Sequence, residues 1–206
     1  MTNTSYANAQ NYANNAGAKI QIKSAMQTNM EVEFLAFVSS FNDSFTSQWN
    51  TETVYGRQDP IGTFQATTRV ITLGFDIVAF SREDAKNNMK NVNTLTNMLY
   101  PSYKPIVGQI SSGALSLSKA PLVEMKFANL IQEDANDGFL LGWISSFSAN
   151  PAIDMGMFTE GGESEKKLFP KVYNASLTFN PQHREQLGFT PPNKTGRANF
   201  PYDGGE

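Results

Sequence analysis

Apolar and polar residues alternate with period two through much of the chain, which predicts a domain built mainly of half-buried strands. Met30, Val32, Phe34, Ala36 and Val38 fall on one face of an extended run over residues 30–38, leaving Glu31 and Glu33 on the other. Residues 69–79 repeat the pattern more clearly, with Ile71, Leu73, Phe75 and Ile77 inward and Thr72, Gly74 and Asp76 outward. Three further strands are expected over 122–130, 139–147 and 169–179, the last setting Tyr173, Ala175, Leu177 and Phe179 against Asn174, Ser176 and Thr178. Residues 20–23 add a sixth. Asp134, Ala135, Asn136, Asp137 and Gly138 form a turn by composition and join two antiparallel strands.

One segment changes period. Between Arg82 and Tyr100 the positions Ala85, Met89, Val92, Leu95 and Leu99 recur at steps of three and four, the stripe of an amphipathic helix. Ser81 and Asp84 stand at capping-box spacing before it, and Pro101 ends it. An isolated helix of this length is marginal in water, so it must pack on a sheet face. The expected fold class is therefore mainly β (α+β): an antiparallel β-sandwich or partial barrel with one flanking amphipathic helix.

The patterned region runs without an internal linker over residues 19–187 and reads as one β domain. An Asn/Ala-rich arm, 1–18, precedes it, poor in large apolar residues and read as a frayed terminus or as an arm that orders on a neighbour. A tail, 188–206, follows, in which Pro191, Pro192 and Pro201 with Gly196, Gly204 and Gly205 forbid regular ladder or helix bonding. That tail is expected to be extended. The N-terminus lacks a charged residue before Lys19 and an apolar core segment, so it does not read as a signal peptide. No run approaches the roughly 18 apolar residues of a membrane span.

Composition removes several kinds of chemistry. The 206 residues hold no cysteine, which excludes disulfides, a thiolate nucleophile and a Cys-ligated metal. A chain of this length buries roughly 70% of its unfolded surface and needs no such staple. Its formal charge of −3 argues against a broad basic face for nucleic acid. Lys166, Lys167 and Lys171 form the nearest basic cluster, and Glu163 and Glu165 offset it. Only 17% of residues are charged, so Asn, Ser, Thr and Gln carry much of the surface. Such a surface repels copies of itself less than a charged one and is compatible with association.

Catalytic groups are scarce. His183, the lone histidine, has no nucleophile elbow to serve and reads as a solvated or interface residue. Asp134, Asn136 and Asp137 lack the remaining oxygen ligands of a calcium loop and read as a turn. The carboxylate pairs Glu31/Glu33 and Glu160/Glu163 lack the apolar surroundings that would separate two pKa values. No phosphate-cradling Gly-rich loop is present. No catalytic residue, cofactor or metal is expected.

What remains is the segment from Trp49 to Pro60, polar and turn-forming yet carrying large side chains, before the strand that begins near Thr67. Arg57 and Asp59 are spaced to pair with each other, the commoner fate of exposed charges, or with another chain. In the second case a desolvated arginine fixes the register between subunits. The candidate subunit interface consists of Glu52, Tyr55, Gly56, Arg57, Asp59, Pro60 and Arg69.

The order of motifs resembles a known family. The stretch from Glu52 through Gly56-Arg57, Gly62-Thr63-Phe64-Gln65-Ala66-Thr67-Thr68-Arg69 and Ile71-Thr72-Leu73-Gly74-Phe75 is followed by a helix and a Tyr-Pro pair. It resembles the tube-like domain of baseplate and tail-tube-initiator proteins of long-tailed bacteriophages. Ala120-Pro121-Leu122-Val123, Leu140-Leu141-Gly142-Trp143-Ile144 and Phe169-Pro170-Lys171-Val172 are similar to its later segments, so the likeness spans roughly residues 30 to 185. The resemblance implies a structural virion protein of the phage tail or baseplate. It also implies a homo-oligomer, usually a hexameric ring, that continues the sheets of its neighbours and nucleates or extends the tail tube. Its partners would be other tail-tube and baseplate proteins, with DNA only transiently in the lumen and no membrane. Some relatives append a peptidoglycan-binding LysM module; the residues after 188 are too few for one.

Two other classes stay open. A carbohydrate- or host-surface-binding β module would use Tyr55, Trp143 and Tyr173, of which at least two are expected in the core. A cell-wall hydrolase would use Glu160 or Asp154 as its acid. A polar or mildly acidic channel lets a polyanion slide, and the outward residues Glu31, Glu33, Asp76, Asn174 and Thr178 are candidates to line one.

Overall fold

The structure, a computed structural model, describes residues 19–105, 115–133, 138–161, 166–184, 187–188 and 200–202. The N-terminal arm, most of the C-terminal tail, the turn residues 134–137 and the carboxylates Glu163 and Glu165 lie outside the described residues.

Among the described residues the molecule is mainly β with a single α-helix, the expected class. Eleven strands are described: β1 (Ile20–Ser24), β2 (Glu31–Phe34), β3 (Ala36–Glu52), β4 (Ile61–Val78), β5 (Ser102–Pro105), β6 (Leu115–Lys119), β7 (Val123–Phe127), β8 (Leu140–Pro151), β9 (Met157–Glu160), β10 (Lys167–Pro170) and β11 (Val172–Pro181). The helix, α1, spans Arg82–Met98. Seven strands form one antiparallel sheet in the order β2-β1-β7-β8-β11-β4-β3, while β5 pairs with β6 and β9 with β10.

The connectivity bends this sheet. β2 and β3 are its two edges, yet only Leu35 separates them in the chain. A flat sheet of seven strands would hold its edges roughly 29 Å apart, whereas two peptide units span at most about 7 Å. The sheet therefore wraps round until its edges meet at Leu35, and the expected partial barrel results. The interior is filled from six of the sheet's seven strands: Ile20 and Ile22, Val32 and Phe34, Ile71 to Ile77 at alternate positions, Val123 and Met125, Leu140, and Tyr173 to Phe179 at alternate positions, with Val38 and Phe41 of β3 partly buried against them. Phe34 and Phe75, from strands far apart in sheet order, meet with ring centroids 5.9 Å apart.

The helix begins as its sequence demands. Ser81 Oγ accepts from the Asp84 amide at 3.1 Å, and Asp84 Oδ2 accepts from the Ser81 amide at 3.0 Å. Ala85, Leu95 and Met98 are buried, the last two in the barrel core. Against β2, Asn91 Nδ2 donates to the Glu33 carbonyl at 3.0 Å, so the helix supplies a partner to an otherwise free sheet edge.

Four expectations are corrected. The run 30–38 is not one strand: it turns the barrel corner at Leu35, with Val32 and Phe34 buried and Phe37 exposed. The segment 169–179 divides at Lys171 into β10 and β11, because Pro170 has no amide with which to continue a ladder. Residues 128–130 form a turn, not the end of β7, closed by the Leu130 amide on the Phe127 carbonyl at 3.0 Å. The fourth is the largest. Trp49–Glu52 ends a strand of 17 residues, and β4 begins at Ile61, well before Arg69. Thr, Ser, Asn and Gln dominate these extensions, so they carry no half-buried alternation, and ladder hydrogen bonds hold them.

Gly142 lies where β8 passes between β7 and β11. A Cβ there would stand 2.3 Å from the Asn180 carbonyl oxygen and 2.6 Å from the Phe179 ring. Gly62, in the outer part of β4, would meet only the Trp49 ring at 3.4 Å. Gly142→Ala is expected to lower stability by about 2 kcal/mol or more, and Gly62→Ala by no more than about 0.5 kcal/mol, read from urea denaturation midpoints at constant slope.

Candidate functional site

The antiparallel pair β3–β4 continues past the barrel as an arm. From Ser44 through Thr68 every residue is exposed, on both faces of the hairpin. Two-stranded ribbons are marginal alone in water, and this one also shows solvent large apolar groups: Phe45, Trp49, Val54, Tyr55, Ile61 and Phe64. Trp49 and Phe64 pack edge to face at 5.3 Å, beside a register shift between Gln48 and Trp49.

The tip is set by local chemistry. The Arg57 amide donates to the Val54 carbonyl at 3.2 Å, and Gly56 takes a φ of +82°, which places Tyr55 and Gly56 at the corner of a type II turn. Tyr55 is 105% exposed. Of the seven candidate interface residues, Glu52, Tyr55, Gly56, Arg57, Asp59 and Pro60 are gathered here. Among the described residues no ion pair joins Arg57 to Asp59.

Arg69 is not with them. It lies at the base of the arm, 6% exposed, and pairs inside its own chain. Its Nε donates to Asp43 Oδ1 at 2.9 Å and its Nη2 to Asp43 Oδ2 at 2.6 Å, a bidentate arrangement with both side chains almost fully buried. Register brings the two together: Asp43 pairs with Ile71, and Phe45 with Arg69. The guanidinium lies near the rings of Phe45 and Phe200, at 5.2 and 5.4 Å from their centroids. Tyr202 donates its hydroxyl to Asp43 Oδ2 at 2.9 Å and meets Phe41 at 6.4 Å. Phe200 and Tyr202, in the described part of the C-terminal segment, thus pack on the base of the arm. Burial, the hydrogen bond to Asp43 and the Asp43 charge raise the Tyr202 pKa, in that order of weight.

A groove of about 580 Å³ opens beside this cluster, and Phe45, Phe64, Arg69, Trp143, His183 and Phe200 contribute to its lining. His183 is half-buried, its ring 5.3 Å from Phe200. Sequence reasoning missed Phe45, Trp49 and Phe64. Their signal was the spacing of Phe41, Phe45 and Trp49 along a polar run, which puts all three on one side of a strand.

The remaining candidates are dispersed. Tyr173 is 5% exposed in the core, with a pKa raised by burial, while Trp143 is 45% exposed at the arm base. The expectation that two of the three aromatics would be buried holds for Tyr173 alone, because the arm carries Tyr55 clear of the barrel. Glu160 accepts from Lys86 Nζ at 2.8 Å, and that bond, with the Lys86, Arg82 and Lys167 charges, lowers its pKa against a smaller opposing effect of desolvation. A general acid requires the opposite shift. Asp154 is exposed on a 3-10 turn, Ile153–Met155. Glu33 pairs with Lys19, and Lys23 with Glu124 at 3.0 Å, so Glu31 and Glu33 belong to a patch of mixed charge on β1, β2 and β7. Asp76, Asn174 and Thr178 lie elsewhere, on the outer face of β4 and β11. Among the described residues no group of three acidic or histidine side chains could hold a metal ion, and no helix is long and apolar enough to cross a membrane.

No protein-family model matches the chain, and no curated protein matches it. Among solved structures it is similar to a chain of the tail of an empty GTA particle, computed with helical refinement in C6 symmetry. The identity is 12%, the match covers 84% of this chain and 96% of that one, and the TM-score is 0.31. A likeness this loose assigns neither a fold nor a role.

Removing one partner of a buried ion pair strands the other charge. Asp43→Ala is expected to cost about 3–5 kcal/mol in chemical denaturation, and Asp43→Leu combined with Arg69→Met to recover most of that. Tyr202 should ionise above the ordinary phenol value of about 10 in a spectrophotometric titration. Because its folded-state pKa is raised, its contribution to stability is present below the unfolded value and lost as pH rises through the folded one. Tyr202→Phe should remove that late step and leave the one belonging to Tyr173.

Proposed function

We propose that the chain is a structural subunit of a phage-type tail or baseplate, assembling with copies of itself into a ring that nucleates or extends a tail tube around a DNA channel. The observation that carries this reading is the arm. A lone chain would leave a long two-stranded ribbon with an unpaired edge and large apolar side chains open to water, an arrangement natural proteins cover by pairing or assembly. Ring closure would bury the arm and satisfy the margin of β3. A hexamer, the usual copy number of the family the sequence resembles, is part of the proposal, as is location in the virion.

The outer face of β8, β11, β4 and β3 suits the channel. Across the paired positions it presents Asn150 and Asn174, Ser148 and Ser176, Thr72 and Asn42, with Asp76 as the charged residue among them. Ser148 and Ser176 join their hydroxyls at 2.8 Å across the ladder. Phe37 stands opposite Asp76 as an exposed ring; the paired positions named here are otherwise amides and hydroxyls without lysine or arginine, which release no counterions from DNA and so do not hold it. Transit, not binding, is the behaviour such a face supports.

We further propose that the protein is not an enzyme. The lowered Glu160 pKa disfavours the hydrolase reading, and the separation of Tyr55, Trp143 and Tyr173 disfavours a glycan platform built from those three.

Negative-stain imaging and sedimentation of the purified chain at high concentration should show closed rings. A chain that stays monomeric across the accessible range, and is absent as a ring from the native particle, would overturn the proposal. Cell-wall lysis assays should give no activity, and Glu160→Gln should change nothing.

A further inference from the structure

The two ends of β4 carry complementary groups. At one end is the arm tip, where Val54 and Tyr55 are exposed and where the side chains of Arg57 and Asp59 have no ion-pair partner among the described residues. At the other end stands the 3-10 turn Ile153–Met155, with Ile153 72% and Met155 60% exposed and Asp154 exposed between them. Backbone bonds fix that turn to the end of the sheet. The Ala152 amide donates to the Val172 carbonyl at 3.0 Å and the Lys171 amide to the Gly156 carbonyl at 3.3 Å, while Val172 pairs with Val78, the last residue of β4. Lys171 Nζ lies 3.5 Å from where a Cβ on Gly156 would stand and 5.3 Å from the Phe158 ring, so a cation borders the turn. Neither Asp154 nor Lys171 has an ion-pair partner among the described residues.

Each end thus sets a cation and an anion beside two large apolar side chains, and each leaves all four uncompensated. Arg57 matches Asp154, Asp59 matches Lys171, and the Met155 thioether is a favourable neighbour for the Tyr55 ring. The two surfaces cannot meet within one molecule. Ile61 and Val78 are the ends of a single strand of 18 residues and lie up to roughly 56 Å apart. We infer that the arm tip of one copy seats on the Ile153–Met155 turn of a second copy, with Arg57 paired to Asp154, Asp59 facing Lys171 and Tyr55 packed on Met155. This rests on the assembly reading above and names the contact that joins copies end to end.

The symmetry of the contact follows from its parts. Tip and turn are different surfaces, so the contact is heterologous, and each copy keeps one of each for the next. Repetition therefore gives an open row, not a closed dimer. An exposed ion pair contributes little by itself, but one flanked by apolar groups that exclude water contributes more and selects its partner.

Tyr55, Arg57, Asp154 and Met155 are all exposed in the isolated chain, so changing them should leave the fold intact. Arg57→Glu and Asp154→Arg are each expected to weaken end-to-end association about 30-fold in sedimentation, and the two reversals together to bring it back to within about three-fold of the wild type. The absence of native cysteine permits a second test. In the full chain carrying Tyr55→Cys and Met155→Cys, a short bismaleimide should give a ladder of covalent oligomers, and either single variant at most dimers. Single reversals that associate like the wild type, a double reversal no better than either one, or a double-cysteine chain that stops at dimers would each overturn the inference, and closed rings in negative stain would then leave the ring reading standing. A ladder and a charge-reversal rescue from a chain that never closes into rings would do the reverse.

Discussion

A single residue holds the architecture together. Leu35 joins the two edges of a seven-stranded sheet, and no flat arrangement allows two edge strands to be so close in the chain. The sheet must curl, and once curled its alternating apolar positions face one another across an enclosed core. Phe34 reaches Phe75, and the helix lies along the margin that β2 would otherwise expose. The helix both deepens the core through Leu95 and Met98 and supplies an amide donor to the free edge through Asn91.

The same curl separates the molecule into two regimes. Where β3 and β4 are part of the barrel, Ile71, Leu73, Phe75 and Ile77 are buried and the ladder is supported by packing. Beyond Arg69 the ladder continues with no barrel beneath it. The Asp43–Arg69 pair marks the transition: it lies on the side of the hairpin that faces the core further down, at the last point where that side is still covered. Phe200 and Tyr202 complete the cover, so a C-terminal segment with little structure-forming tendency of its own secures the root of the arm. A buried ion pair contributes less to net stability than to fixing register, and here the register is that of the hairpin.

Function follows from what this scaffold leaves uncovered. The barrel packs most of its strands' alternating apolar side chains into its own core. Unmet physical needs are concentrated on the arm, in its exposed rings and open edge. In the proposed assembly neighbouring copies would cover them, and the outer face of the large sheet would be left free to border a passage.

The alternation of residues 69–79, the stripe of residues 82–100 and the Ser81–Asp84 box determined a mainly β domain with one capped amphipathic helix, because period and capping are properties of neighbouring residues. The inward residues of β4 and β11 were legible for the same reason. The arm was not, since Thr, Ser and Gln at positions exposed on both sides carry no contrast between faces. Nor could the sequence show that Asp43 and Arg69 are partners, or that Tyr55 is fully exposed. Those depend on which strand lies beside which, on two register shifts in the β3–β4 ladder, and on a corner at Leu35. Contacts between residues distant in the chain arise only when the sheet closes, and no local pattern encodes them.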